Sequence, residues 1–283
     1  CFKNDLMPTV STFRECLICN NIGKSNNFKF SLHLKIDTGM SRLGFECNHF
    51  VQQFNKIKSL ENIALKGIYS HLACADEKNA LNPKSSTQLQ REKFQELLKI
   101  IDIDNTQNIK THLANSAGMI LGKDFHFDMV RVGLSMYGYD PLVKINENLI
   151  LQPALFLKAK VTFVRTIEKG IGVSYGNKFV SDRKTKLAVL SIGYADGIIR
   201  NLSGKLSLIH NKKLYPQVGS ITMDQMMVDI TNSNDIEVGS TMLLLGSEGD
   251  KSISPIDWAD KCNSIPWEIL CSFKNRLPRV QVD

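Results

Sequence analysis

Two spacings of apolar residues succeed one another through the first 140 residues, and this alternation constrains the fold more than any other feature. Ser31 to Asp37 (SLHLKID) puts Leu32, Leu34 and Ile36 at every second position, the period of a strand with one buried face. Phe50, Phe54 and Ile57 then fall at i, i+4 and i+7, the stripe of a helix. Gly67 to His71 predicts the next strand, and Phe94, Leu97, Leu98 and Ile101 the next helix. Thr111 to Ala114 and Met129 to Val132 predict two more strands, and Leu6 to Val10 a weaker one at the front. Repeated β-then-α units argue for a parallel sheet with helices outside it. A closed β/α barrel needs eight strands and about 250 residues, at roughly 30 residues per unit. With about five strands, residues 1–147 are either an open sheet or a barrel short of roughly three units at its N-terminus.

After Pro153 the pattern changes. Leu155, Leu157, Ala159, Val161 and Phe163 alternate with mostly polar residues, as in a half-buried strand. Lys205 to Val218 predicts a hairpin around Asn211-Lys212, and Val228 to Ile230 and Met242 to Leu245 predict further strands. Helix signals return at Ser254-Pro255-Ile256-Asp257, an N-cap serine followed by proline at the first helical position. Residues 148–283 are therefore expected to form a second, mostly β domain. The fold class expected is α/β plus β.

Composition removes several alternatives. The 283 residues are 43% hydrophobic, enough for one large or two moderate cores, and no apolar run is long enough to span a bilayer. CFKNDLMPTV lacks the basic and apolar regions of a signal peptide, and a start without Met suggests a fragment or a processed chain. The net charge of +7 is scattered rather than gathered in a basic arm, which argues against nucleic acid as a partner. Seven irregularly spaced cysteines favour a reducing compartment, hence a cytoplasmic protein. Cys16 and Cys19 follow Thr12-Phe13-Arg14-Glu15, a capping box. With no second pair to complete a zinc site, they read as small packing residues on one helix, and no metal is expected.

In parallel β/α folds chemistry sits at the C-terminal strand ends. One strand ends in Lys35-Ile36-Asp37-Thr38-Gly39, with Arg42 close behind, and Lys35 and Asp37 share the face opposite the leucines. A buried lysine is rarely there for packing, so an internal Lys35–Asp37 ion pair and a functional lysine are the two readings. The next strand ends at His71. The last two run into Asn115-Ser116-Ala117-Gly118 and through Arg131 into Val132-Gly133-Leu134. In a barrel these would be strands seven and eight, whose loops form the usual phosphate site, so a phosphorylated ligand is expected there. Tyr175 in GVSYG and Tyr194 in GYADG are flanked by glycines, as for positioned, exposed rings.

HLKIDTGMSRLGF, GIYSHLACAD, HLANSAG, VRVGLSMYG, GVSYG, IGYADG, SITMDQ and the closing RLPRV occur in this order across nearly the whole chain and resemble the alanine racemases. The resemblance implies a pyridoxal-phosphate-binding (β/α)8 TIM barrel followed by a β domain. It implies a homodimer with shared active sites, L- and D-alanine as substrates, and a role in peptidoglycan synthesis. It gives Asn115, Ser116, Gly133 and Leu134 to the cofactor phosphate, and Arg131 to the pyridine nitrogen. Arg42, oriented by Lys35 (often carbamylated in this family), would bind the cofactor phenolate and the substrate carboxylate. His71 would link Tyr175 to Arg131, and Tyr175, from the other subunit, would be one base. Met223 would bind the substrate carboxylate, and Tyr194, Arg200 and Asp224 would line the access corridor.

Two departures accompany the resemblance. No lysine here matches the family's covalent cofactor anchor and second base, which lies upstream of every motif quoted. The chain taken alone is therefore expected to be inactive, and a truncated record of a complete enzyme is the simplest account. The tyrosine common in the closing motif is Asn275. The alternatives are a non-catalytic cofactor-binding or dimerisation remnant, or a related decarboxylase or broader-range racemase.

Overall fold

The computed structural model describes residues 1–103, 108–142 and 149–282. They fall into two compact units, Cys1–Gln152 and Pro153–Asp283. The boundary expected between 147 and 148 lies outside the described residues.

The first unit runs β1 (Thr9–Val10), α1 (Phe13–Ser25), β2 (Phe30–Asp37), β3 (Phe45–Glu46), α2 (Cys47–Lys58), β4 (Ile63–Tyr69), α3 (Ser86–Ile100), β5 (Lys110–His112) and α4 (Ser116–Leu121). Its sheet has the order β1-β2-β4-β5, parallel throughout, and β3 pairs with the end of β2. On β2, Leu32, Leu34 and Ile36 are fully buried, as their alternation predicts. Phe50, Phe54 and Ile57 of α2 and Phe94, Leu97 and Leu98 of α3 join the same core, where a fully buried side chain of this size contributes about 1.5–3 kcal/mol. The capping box opening α1 is present: the Glu15 amide donates to Thr12 Oγ1, and Glu15 Oε2 accepts from the Thr12 amide. Cys16 is fully buried on that helix, and burial pushes its thiol up to about 12, consistent with a packing residue.

Met129 to Val132 is not a strand. The segment runs beside β5 through two backbone bonds, Asp128 N–H to Thr111 O (2.9 Å) and Arg131 N–H to Ala114 O (3.0 Å). Val130 packs on the core, but no described strand pairs with the other side of the segment, so the ladder does not extend.

The second unit contains β6 (Leu157–Ile167), β7 (Gly172–Val173), β8 (Phe179–Val180), β9 (Thr185–Leu190), β10 (Ser207–His210), β11 (Lys213–Val218), β12 (Met226–Asp229), β13 (Thr241–Glu248), β14 (Lys251–Ile253), α5 (Pro255–Cys262) and α6 (Pro266–Ser272). Seven strands form an antiparallel sheet in the order β10-β11-β12-β9-β6-β13-β14, and an added β10–β13 pairing closes the sheet on itself. The hairpin lies where the sequence puts it. Asn211 (φ 48°) and Lys212 (φ 62°) both take the left-handed conformation that suits a two-residue turn between twisted strands. Ser254 caps α5 with Asp257 closing the box, and Pro255 occupies the first turn.

Candidate active site

The polar residues of the first unit converge at the C-terminal end of its sheet, with Arg131 at the centre. Its guanidinium donates to the carbonyls of Ser70 (2.8 Å) and Leu113 (3.1 Å), to His71 Nδ1 (3.0 Å) and to His112 Nδ1 (2.6 Å). Tyr69 lies against it, with the guanidinium carbon 4.7 Å from the ring centroid, and stacks on His112 at 4.6 Å and 8°. Arginine has only donors. Both imidazoles must therefore present a bare Nδ1 to it and, when neutral, carry their proton on Nε2. Arg131 Nε makes no hydrogen bond among the described residues.

Electrostatics keep both rings neutral. Burial, reinforced by the charges of Arg131, Arg42 and Lys35, lowers His71 to about 4. Burial, Arg131 and His33 lower His112 to about 3. Burial lowers Lys35, helped by Arg42 and Arg131 and opposed by Asp37. Lys35 is 4% exposed, and its Nζ donates to the Leu43 carbonyl. The Lys35–Asp37 ion pair does not form. Asp37 Oδ1 instead accepts the amides of Gly39 (2.9 Å), Met40 (2.9 Å) and Ser41 (3.1 Å), which shapes the loop that carries Arg42. Arg42 itself is exposed. Gln90, buried on α3, fixes the segment after β4 by donating to the His71 carbonyl (2.9 Å) and accepting from the Ala73 amide (2.9 Å).

These shifts have a thermodynamic consequence. The folded pKa values of His71 and His112 lie below the unfolded value near 6.5, so between these limits the unfolded chain binds more protons. Their contribution is complete above pH about 6.5 and is lost progressively as the pH falls towards about 4 for His71 and about 3 for His112. Denaturant melts at pH 7, 6 and 5 are expected to show this decline, and His112→Gln to reduce its slope by up to one proton.

The two loops expected to hold phosphate do meet. Ser116 Oγ accepts the Gly133 amide (2.8 Å) and, more weakly, the Ser135 amide (3.4 Å), leaving its own proton to donate. Asn115 caps α4 by accepting the Gly118 amide (3.0 Å). The buried Ser135 hydroxyl has no partner among the described residues, and a Cβ built on Gly133 would meet only Ser116 Oγ, at 3.9 Å. Leu134 is buried at the start of the 3₁₀ turn Leu134–Tyr137. An unused hydroxyl, a serine proton and an open glycine backbone fit a phosphate. The free Arg131 Nε fits an uncharged ring nitrogen.

In the second unit Tyr175 follows β7 and is 71% exposed, while Ser220 Oγ donates to its carbonyl (2.8 Å). Tyr194 and Met223 meet through backbone. The amides of Tyr194 and Ala195 donate to the carbonyls of Thr222 (2.9 Å) and Met223 (3.0 Å). A Cβ on Gly193 would come within 2.3 Å of both carbonyls, so only glycine permits this approach. Met223 N–H is unpaired among the described residues. Asp224 pairs with Arg276 (2.6 Å), which also holds Asp196 (3.2 Å). Arg200 is exposed in the 3₁₀ turn Arg200–Leu202.

Reading strand ends thus found Lys35, Arg42, His71, Ser116 and Arg131, but missed His33, Tyr69, Gln90, His112 and Arg276. His112 was legible as the first residue of HLANSAG, and Arg276 as the first of RLPRV. No group of metal-binding side chains occurs among the described residues.

A parallel β/α unit with an arginine–histidine cluster at its strand ends and a closed β domain after it defines a narrow class of enzyme folds. Residues 1–141 match the model of the alanine racemase N-terminal domain and 154–281 that of the C-terminal domain. The alanine racemase of Prochlorococcus marinus is 51% identical over 282 residues, covering 100% of this chain and 73% of that protein. That of Synechocystis is 41% identical, covering 98% of this chain and 73% of that protein. Among solved structures, alanine racemase from Clostridium difficile 630 superposes with a TM-score of 0.86 at 34% identity, covering 97% of this chain and 70% of that one. The alanine racemase of Bartonella henselae with covalently bound pyridoxal phosphate gives 0.85 at 31%, covering 99% and 74%. The chain belongs to the alanine racemase family.

Proposed function

We propose that the full-length protein interconverts L- and D-alanine with pyridoxal phosphate, as a cytoplasmic homodimer supplying D-alanine for peptidoglycan. The observation that carries this reading is Arg131, a guanidinium fixed by four acceptors with Nε–H still free. Bound pyridoxal phosphate supplies an electron-withdrawing ring that acidifies the α-hydrogen of alanine. Arg131 would donate to the ring nitrogen without protonating it, which moderates that withdrawal and disfavours side reactions such as transamination. Ser116 Oγ–H and the amide of Leu134 would hold the phosphate over the open backbone of Gly133, with Asn115 fixing the loop. Arg42, on the loop that Lys35 ties down through the Leu43 carbonyl, would bind the phenolate and the substrate carboxylate.

Tyr175 of the partner subunit would move the α-proton on the face of L-alanine. His71, whose Nδ1 is occupied by Arg131, has its Nε2–H free and would donate it to the tyrosine oxygen, orienting that oxygen. The lysine implied by the family resemblance would serve the other face. The free amide of Met223 suits the substrate carboxylate, and Tyr194, Asp224 and Arg200 would line the approach.

The test is chiral chromatography of L-alanine incubated with the full-length protein and pyridoxal phosphate. A product ratio near one is expected, and no D-alanine would refute the activity. Ser116→Ala is expected to weaken pyridoxal phosphate about tenfold in an absorbance titration while leaving unphosphorylated pyridoxal unaffected. Equal weakening of both would remove Ser116 from the phosphate site.

A further inference from the structure

The arginine–histidine cluster continues one residue beyond the groups used above. His33 sits on β2 on the same face as Lys35, and its Nδ1 lies 3.0 Å from His112 Nε2, with the rings 5.1 Å apart and tilted by 55°. The direction of this bond follows from its far end. Arg131 donates to His112 Nδ1, so neutral His112 holds its proton on Nε2 and donates it to His33 Nδ1. His33 in turn carries its own proton on Nε2.

The fold makes room for this contact at a cost to β-sheet regularity. The β2–β4 register shifts between Leu32 and His33. Across that shift stands Gly67, where a Cβ would fall 2.3 Å from His33 Cε1 and 2.4 Å from Nδ1. The imidazole thus rests directly on bare backbone. Tyr69, two residues on, covers His112 from its ring face. A ring seated on a glycine, stacked neighbours and a displaced register all serve to hold one acceptor nitrogen opposite His112.

We infer that His33 is a positioning residue for the reaction: by accepting from His112 Nε2 it joins Arg131 in fixing the His112 tautomer, and so helps to set the guanidinium that faces the cofactor ring. Were the His112 proton to move to Nδ1, it would oppose an Arg131 N–H, and the guanidinium would lose one of its four acceptors. This inference rests on the proposed function for the ring contact, but the tautomer itself is a property of the protein without cofactor.

The experiment is nitrogen-15 NMR of histidine-labelled full-length protein, free of cofactor, beside steady-state kinetics of the loaded enzyme. In the wild type, His112 is expected wholly as the Nε2–H form. His33→Leu is expected to mix the two tautomers and lower kcat about tenfold with KM for alanine little changed, the size of one lost hydrogen bond. His33→Gln, which retains an acceptor oxygen, is expected to restore both. A His112 tautomer and kcat unchanged in His33→Leu would overturn the inference, as would equal losses in the Leu and Gln variants with matched drops in melting temperature. A wild-type protein that does not racemise alanine would overturn the functional reading instead, and the tautomer ratio would still decide the assignment of His33.

Discussion

Replacing Tyr175 by Phe in the full-length enzyme is expected to abolish most α-proton exchange from L-alanine while sparing much of the exchange from D-alanine. Two bases on opposite faces of one carbon make each direction depend on its own base, and a positioned general base contributes typically about 10²–10⁴-fold. The ring is 71% exposed and held through its backbone by Ser220, so removal of the hydroxyl leaves its packing intact. Deuterium incorporation from heavy water into each enantiomer measures the two directions separately. Wild-type exchange from both would remove Tyr175 from proton transfer. Equal loss from both, with altered cofactor absorbance, would make it a residue that places the cofactor.

Arg131→Met is expected to destabilise the first unit by about 3–5 kcal/mol, because four acceptors arranged around a charge would be left facing an apolar chain. For a domain of this size that is roughly a 10 °C fall in melting temperature. The variant also carries a second signature. Arg131 is, after burial, the leading cause that lowers His71 and His112, so its loss should raise both towards the ordinary histidine value. Histidine proton resonances followed against pH would show this directly. A variant with wild-type melting and unmoved histidines would mean that the cluster is held by the backbone alone.

The sequence reveals some levels of this architecture and conceals others, for physical reasons. Period-two and period-3.6 patterns on β2, β6, α2 and α3 are local, and burial of one face enforces them whatever lies elsewhere. The caps at Thr12 and Ser254 and the Asn211-Lys212 turn are equally local. Met129 to Val132 misled because its two valines suit a strand, while a ladder needs partners that no pattern encodes. The same limit governed the site. Lys35, His71, Ser116 and Arg131 stand out as polar residues at strand ends, but His33 and His112 are 79 residues apart and meet only through strand pairing. The absence of a Lys35–Asp37 pair has a similar origin: three adjacent amides outbid a lysine for one carboxylate.

The guanidinium at the centre of the cluster also governs where protons can travel. A hydrogen-bonded wire of the Grotthuss kind needs every member to accept from one neighbour and donate to the next. His71 and His112 could each do so, but Arg131 stands between them and accepts from neither. It is an insulator set into an otherwise continuous chain. A proton taken up on the His71 side cannot drain through the sheet to His112 and His33. In the proposed reaction, a proton passed to His71 would therefore have no route through Arg131 to His112, and would be exchanged with solvent or returned rather than lost to the interior.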